Sequence, residues 1–346
     1  MQTSLIQSDT IGIERAAAIL RGGGLVAFPT ETVYGLGANA LNAAAVSRIF
    51  AAKGRPADNP LIVHIPDVQE ARRYGEWNEL ADTLAGAFWP GPLTLIVGRT
   101  PLIPEEVSAG LQTVALRAPS HPAAQALLQA CGFPIAAPSA NRSGRPSPTS
   151  AQHVLDDLGG LIPLVLDGGS SEVGLESTVA DVRGPIPLIL RPGAVTPEMI
   201  TMACGECRVA DSVLRALADG EGAPSPGMRH RHYSPRAQMS LVDGSPENVS
   251  RFIRRLAIGR DRTWVLAMEQ HLGVYEGLNA LSLGKNAAEA AHRLFHLLRR
   301  ADEEGVERIL SETLPRDGLG LAVMNRLARA ADFDILNADL EENLTI

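Results

Sequence analysis

Lys53 and Arg55 stand two residues apart in KGRPADNPLIVH (53–64), and Asn59 and His64 follow within the same stretch. Cations at a helix end usually compensate the helix dipole. Here they run directly into a proline, an amide and a histidine at a strand end, and cations converging on one loop suit a phosphate or a carboxylate. Four further stretches have the same character. PTETVYGLGANA (29–40) offers Thr32 among hydroxyls and glycines, and LRAPSHP (116–122) ends a strand on Arg117. APSANRSGRPSPTS (137–150) crowds Ala137, Ser139, Asn141 and Ser147 among prolines and arginines. DGG (167–169), ESTV (176–179) and LRPG (190–193) bring Ser177 and Arg191 to strand edges. Taken singly, these are a turn, a surface arginine or a serine-rich spacer. Together they supply a lysine, arginines, hydroxyls and amides, with almost no acid–base pair. Such a set orients reactants and absorbs negative charge, which fits phosphoryl or nucleotidyl transfer. Mg²⁺ is expected on the phosphates.

Two other features bear on this chemistry. Of 31 basic residues, only Lys53 and Lys285 are lysine. Where arginine is the default cation, a lysine marks a position that wants a compact ammonium rather than a flat fork. The second is SPGMRHRHYSP (225–235), a basic, histidine-rich run that follows the linker-like ADGEGAP. A linker needs only length and solubility, so these groups point to an anion or a ring.

The elements that position these loops alternate. Helical spacing over 11–21 stops at Gly22-Gly23-Gly24, a helix stop rather than a phosphate loop. LVAFP (25–29) and LIVHI (61–65) read as buried strands, and Asn42 caps a helix running to about Lys53. Residues 67–88 read as helical, TLIV (94–97) and VALRA (114–118) as extended. Helices are expected over 122–131 and 149–158, and strands at LVLDGG, STVADV and LILRPG. A helical patch follows Pro197. A second alternation begins at MSLVDG (239–244), with helices over 246–258, 286–304 and 320–331 and strands at TWVLAM, ERILSE and FDIL. The fold class is α/β: a mixed twisted sheet, then a smaller unit compatible with a doubly wound sheet.

Composition narrows the class. The chain has 346 residues, 45% of them apolar, enough for two domains with real cores. No apolar run is long enough to span a membrane, and the N-terminus lacks the basic start and apolar block of a signal peptide. Three cysteines make no disulfide framework, which fits a reducing cytoplasm. Cys204 and Cys207 have CxxC spacing without a second pair and read as two ordinary thiols rather than a zinc site. A net charge of −8 argues against coating nucleic acid by bulk electrostatics. No Walker A, HExxH or EF-hand pattern occurs, and Gly35-Leu36-Gly37 is too short for a dinucleotide fingerprint.

PTETVYGLG, KGRPADNPLIVH, PGPLT, APSANRSGRPSPT, GLESTV and LRPG, in this order and spacing, resemble the YrdC-like domain. PGMRHRHYSP, followed by a small α/β unit ending MNRLARAA, resembles the longer, two-domain threonylcarbamoyl-AMP synthases. The resemblance implies a YrdC-like twisted mixed sheet with flanking helices over 1–208, a linker and active-site lid over 209–237, and a smaller Rossmann-like α/β domain over 238–346. It implies that L-threonine, bicarbonate and ATP give L-threonylcarbamoyl-adenylate and pyrophosphate. A tRNA threonylcarbamoyl transferase complex downstream would then use the adenylate to form threonylcarbamoyladenosine at tRNA position 37. By the family pattern, threonine binds near Thr32, His64, Arg117, Ala137 and Ser177. ATP is assigned to Arg55, Asn59, Thr113, Ser139, Asn141, Ser147, Arg191 and Tyr233, with Lys53 and Arg55 stabilising charge at the reacting phosphate. His-Tyr-Ser-Pro (232–235) departs mildly from the usual His-Tyr-Ala-Pro and leaves Tyr233 in place. The basic run would close over the nucleotide as a lid that excludes water.

Two rivals are weaker. Carbamoyl-adenylate formation for hydrogenase maturation normally comes with acylphosphatase and zinc-finger modules, for which this chain has neither the length nor the cysteine pairs. An RNA-binding protein without adenylate chemistry is disfavoured by 4% aromatic content and negative charge, which leave few stacking platforms; weak tRNA contact beside catalysis stays compatible.

Overall fold

The computed structural model describes residues 1–213, 215 and 233–341. The chain divides into two compact units. One comprises Met1–Ser143 and Ser147–Val213; the other holds Gly144–Pro146 and the chain from Tyr233 onward.

The first unit is built on a 12-stranded mixed sheet. Its order is Ser4–Gln7, Leu164–Asp167, Val26–Phe28, Gly35–Asn39, Ile135–Ala136, Ile62–His64, Thr113–Arg117, Leu93–Arg99, Thr178–Asp181, Leu188–Arg191 and Arg208–Val209, with Gly75–Glu76 beside Leu93–Arg99. The expected caps are present. Asp9 Oδ1 accepts from Gly12 N at 2.8 Å to start helix Thr10–Arg21, and Asn42 Oδ1 accepts from Ala45 N at 3.1 Å to start helix Ala43–Lys53. Gly24 N donates to Ile19 O, so the glycine run does end its helix.

Two expectations need correction. Residues 67–88 are two helices, Val68–Tyr74 and Glu79–Phe88, separated by the short strand Gly75–Glu76. Asn78 caps the second through Ala81 N, a restart signal inside what looked like one helical pattern. Gly35–Asn39 is a strand, antiparallel to Val26–Phe28, rather than part of a loop. The glycines there make room rather than a turn. A Cβ on Gly37 would meet the Phe28 ring at 3.0 Å and Ile135 Cγ2 at 2.8 Å. Phe28 crosses this bare strand and stands edge-on to His64, with ring centroids 5.9 Å apart.

The second unit holds a five-stranded sheet, all parallel, in the order Ala280–Gly284, Thr263–Met268, Arg308–Glu312, Gln238–Asp243, Ile335–Asn337. Ala280–Gly284 and Ile335–Asn337 are edge strands; the first was not anticipated. The chain leaves Gln238–Asp243 towards one edge and Arg308–Glu312 towards the other. Right-handed crossovers therefore put their helices, Pro246–Ala257 and Gly318–Ala330, on opposite faces, as in a doubly wound sheet. Helix Gly318–Ala330 carries the MNRLARAA motif inward: Arg326 is fully buried and Arg329 nearly so. Burial pulls Arg329 below the usual arginine range. Gly144–Pro146 belongs here because Ser234 N donates to Gly144 O at 3.0 Å and Arg299 donates to Pro146 O. Among the described residues no helix is long and apolar enough to cross a membrane.

Candidate active site

Strands Ile62–His64 and Thr113–Arg117 run parallel and in register, so His64 and Arg117 lie side by side at their ends. Arg117 is buried. Its Nη1 donates to Thr32 Oγ1 at 2.9 Å, its Nε reaches Gly91 O at 3.4 Å, and its Nη2 stands 2.7 Å from Glu31 Oε1. Both carboxylate oxygens of Glu31 are shielded from solvent and face the Arg117 guanidinium and the backbone N–H groups of Glu31 and Ser120. Burial raises the Glu31 acid, but the Arg117 charge and nearby backbone donors outweigh it and hold the pKa below the usual glutamate value. His64 is pushed down to about 3, first by burial and then by Arg117, so its ring is neutral at physiological pH. Its Nδ1 is buried without a partner. Thr30 Oγ1 lies 2.8 Å from Thr32 Oγ1, which holds the threonine hydroxyls in a chain beside the guanidinium.

A second group adjoins this one. Ser177 Oγ lies 2.7 Å from Thr94 Oγ1, and Arg191 reaches Ser177 twice, from Nη2 to Oγ at 3.2 Å and from Nε to the carbonyl at 3.1 Å. Glu176 accepts from Ser147 Oγ. The LRPG turn lies against this loop because position 193 has no side chain. A Cβ there would stand 2.4 Å from Thr178 N and 2.8 Å from Glu176 O, both backbone atoms. Gly193→Ala is therefore expected to lower stability by about 3 kcal/mol, read by denaturant unfolding.

The third group gathers around Lys53. Its buried ammonium donates to the carbonyls of Ser139 and Asn141 and approaches Asn141 Oδ1 at 3.4 Å. Ser139 Oγ donates to Asn141 Oδ1 at 2.6 Å. Gly54, in the left-handed region at φ 61°, ends the helix and turns the chain, and Arg55 Nη2 then holds the carbonyls of Asn59 and Pro60 at 3.3 and 3.2 Å. The Asn59 side chain is 1% exposed, yet neither of its amide atoms has a partner. A buried amide in that state costs about 1–3 kcal/mol unless something pairs with it.

The structure thus gathers Thr32, His64 and Arg117; Ser147, Ser177 and Arg191; and Lys53, Arg55, Asn59, Ser139 and Asn141. Ala137 is buried, and its N–H is taken by Ile62 O at 2.8 Å, leaving only its carbonyl for a ligand. Thr113 begins the strand that Arg117 ends, beside Pro60 and Ser108. Tyr233 lies in the second unit, in the left-handed region at φ 65°, its ring 5.2 Å from Phe295 with the Arg326 guanidinium 5.8 Å away. The basic part of the expected lid, through residue 232, lies outside the described residues.

Sequence reasoning assigned no role to Glu31, Thr94 or Glu176, although all three stand inside quoted motifs. The available signal was a carboxylate set among hydroxyls straight after a buried strand. Cys204 Sγ and Cys207 Sγ are each turned to a backbone carbonyl, Ile200 O and Pro197 O, as ordinary thiols would be. A cleft of about 390 Å³ in the second unit is the wrong place for a nucleotide. Its lining includes Glu247, Glu312 and His271 with Val242, Val249 and Val274, and no lysine or arginine. A triphosphate would meet only like charge there.

A cation-rich nest on a mixed α/β sheet, dense in hydroxyls and poor in acid–base pairs, is the architecture of a nucleotidyl-transferring enzyme. The chain matches the Sua5, YciO and YrdC family model, described as "Telomere recombination", over residues 18–193, and the "Threonylcarbamoyl-AMP synthase, C-terminal domain" model over 195–332; it belongs to this family in its two-domain form. It is 48% identical to the threonylcarbamoyl-AMP synthase of Bacillus subtilis (strain 168), over 95% of each chain. It is 46% identical to that of Pyrococcus abyssi, over 94% of this chain and 95% of the relative. The crystal structure of P. abyssi Sua5 complexed with L-threonine superposes with a TM-score of 0.90 at 43% identity, covering 97% of this chain and 98% of that one.

Proposed function

We infer that the chain is an L-threonylcarbamoyladenylate synthase. L-Threonine and bicarbonate condense to a carbamate with loss of water. The carbamate oxygen then attacks the α-phosphorus of ATP: an O–P bond forms, the bond from the α-phosphorus to the bridging oxygen breaks, and pyrophosphate leaves. The observation that carries the reading is the pairing of two unlike nests. One is a buried, charge-balanced cluster of Glu31, Thr32, His64 and Arg117, suited to a small amino acid. The other is cationic, with Lys53 and Arg55 among the hydroxyl and amides of Ser139, Asn141 and Asn59 and with Arg191 held on Ser177, groups suited to phosphates.

In this reading Arg117 takes the threonine carboxylate. His64 is held neutral by burial and by Arg117 and serves as a hydrogen-bonding partner rather than a base. Ser177 and the Ala137 carbonyl complete the amino-acid site. Arg55, Asn59, Thr113, Ser139, Asn141, Ser147 and Arg191 hold ATP, and Lys53 and Arg55 meet the charge that develops on the phosphates. Tyr233 is assigned to the nucleotide by its motif alone. Holding several anions in line supplies much of the rate. Mg²⁺ is expected on the phosphate oxygens of ATP. Glu176 and Asn141 are the residues that would reach such an ion; it would neutralise phosphate charge. The labile product passes in the cytoplasm to a separate transferase complex acting at tRNA position 37.

The test is pyrophosphate release with ATP, Mg²⁺ and bicarbonate, with and without L-threonine, and mass spectrometry of early samples. Threonine-dependent release with the mass of threonylcarbamoyl-adenylate is expected. Salt-sensitive tRNA binding with no turnover would support the RNA-binding alternative.

A further inference from the structure

The cleft of about 390 Å³ in the second unit stands where a doubly wound sheet can hold a ligand. Strands Gln238–Asp243 and Arg308–Glu312 are parallel neighbours whose chains leave for opposite edges, so a crevice opens at their carboxyl ends. The lining comes from those ends: Val242 and Gly244 from one, Glu312 and Thr313 from the other. The volume falls in the range of small-molecule sites, about 300–1,000 Å³. Asp339 accepts from Ser245 N, Ser245 Oγ and Asn248 Nδ2 at 2.8–3.0 Å, which fixes the loop after Gln238–Asp243. Val242, Val249 and Val274 give the cleft an apolar wall. Its polar side centres on Glu312, whose side chain is 9% exposed. Glu312 Oε1 accepts from the Tyr275 hydroxyl at 2.7 Å, and Oε2 from His271 Nδ1 at 2.8 Å and from Met268 N at 3.3 Å. These donors meet its hydrogen bonding but bring no permanent charge. Among the described residues neither a lysine nor an arginine pairs with Glu312, whereas buried Glu31 has Arg117. A buried carboxylate without a counter-charge is the costly arrangement, and His271 answers it only by taking up a proton.

We propose that this cleft binds a small organic amine, with its ammonium beside His271 and Glu312 and its apolar body against the valines. The cation supplies the counter-charge that Glu312 lacks without displacing the donors it already has. With Nδ1–H committed to Glu312, the neutral His271 ring keeps Nε2 as an acceptor for an ammonium N–H. Glu247 adds a second carboxylate to the lining, shared with Arg251 at 2.9 Å. Anions, which include every phosphate-bearing component of the proposed reaction, meet the Glu312 charge with no lysine or arginine in the lining to offset it. The site lies wholly within the second unit and gives that unit a ligand of its own, whatever the first unit catalyses.

Phenethylamine, phenethyl alcohol and phenylacetate share one apolar body and differ in the charge of the head, and NMR titration of each with the full chain tests the proposal. Phenethylamine is expected to bind at millimolar concentration or below, about tenfold or more tightly than phenylacetate, with the alcohol between them. Glu312→Gln keeps groups for Tyr275 and His271 and removes the charge, so the preference for the amine over the alcohol is expected to disappear. Val274 is 48% exposed, so Val274→Trp fills the cleft from its rim and is expected to abolish amine binding. Should Glu312→Gln not fold, Val274→Trp and the three probes on wild type decide alone. Phenylacetate or the alcohol bound as tightly as the amine overturns the proposal. So does binding of none of the three at millimolar concentration, or amine binding that persists in Val274→Trp. Pyrophosphate release by wild type tests the synthase reading separately, and Val274→Trp is expected to leave it unchanged.

Discussion

Arg117→Ala abolishes saturable L-threonine binding at millimolar concentrations and lowers the stability of the first unit by about 3–5 kcal/mol. The two effects share one cause. Arg117 and Glu31 form a pair with 4% and 6% of their side chains exposed. Removing the guanidinium leaves a carboxylate in a low-dielectric pocket with no counter-charge, which is far costlier than never having had the pair. Part of that penalty relaxes as Glu31 takes up a proton. The Glu31 pKa is depressed in the wild type, so its stabilisation is present above the unfolded value and is lost as pH falls through the lower folded one. In Arg117→Ala the folded pKa rises instead, and the variant gains stability relative to wild type on acidification. Arg117→Lys separates stability from recognition. A lysine restores the charge, so unfolding by heat or denaturant stays close to wild type. It cannot present two parallel N–H groups to a carboxylate, so threonine affinity falls by about tenfold or more. Wild-type threonine affinity in Arg117→Lys would show that the carboxylate is not read by the fork.

Much of this site was legible in the residues because the chemistry is local. Cations next to prolines, hydroxyls after buried strands and an asparagine before Pro60 announce themselves in a single loop. The strands that hold them, Ile62–His64 and Thr113–Arg117, are short apolar runs and were equally plain. What the sequence hid was relational. Glu31 carries no local mark that it will meet Arg117, because that contact joins positions 86 residues apart, from the loop after Val26–Phe28 to the end of strand Thr113–Arg117. Gly35 and Gly37 look like a ligand loop by composition, but Phe28 needs the space above them, so they form a strand. The 67–88 pattern concealed a break because Gly75–Glu76 is too short to show a period of its own, and only the Asn78 cap betrays it. Gly144–Pro146 sits in a loop of the first unit by sequence and clusters with the second because its carbonyls serve Ser234 and Arg299.

Lys53→Ala lowers kcat/KM for pyrophosphate release by about 10²–10³-fold, with most of the loss in kcat. The ammonium has two tasks that one compact charge can combine. It ties the carbonyls of Ser139 and Asn141, and so fixes the loop that presents Ser139 Oγ and Asn141. In the proposed reading it also places a full positive charge, 3% exposed, beside the phosphates, where low dielectric makes it count. Lys53→Met keeps the aliphatic stem and removes the charge, so it folds more nearly like wild type and isolates the electrostatic part. Lys53→Arg is the sharper variant. In a chain whose other 29 basic residues, Lys285 aside, are arginine, lysine at this position marks a geometric demand. Three donors on one atom can converge on two carbonyls of a tight turn, whereas a planar fork spreads them over a width that Ser139-Ala140-Asn141 does not offer. Lys53→Arg is therefore expected to retain ATP binding within about tenfold yet recover little of kcat, because charge without placement does not stabilise the transition state. Steady-state pyrophosphate release on the three variants, alongside ATP titration by calorimetry, checks this. Wild-type kcat in Lys53→Arg would mean that position 53 needs only a positive charge, and would move the burden of phosphate stabilisation onto Arg55 and Arg191.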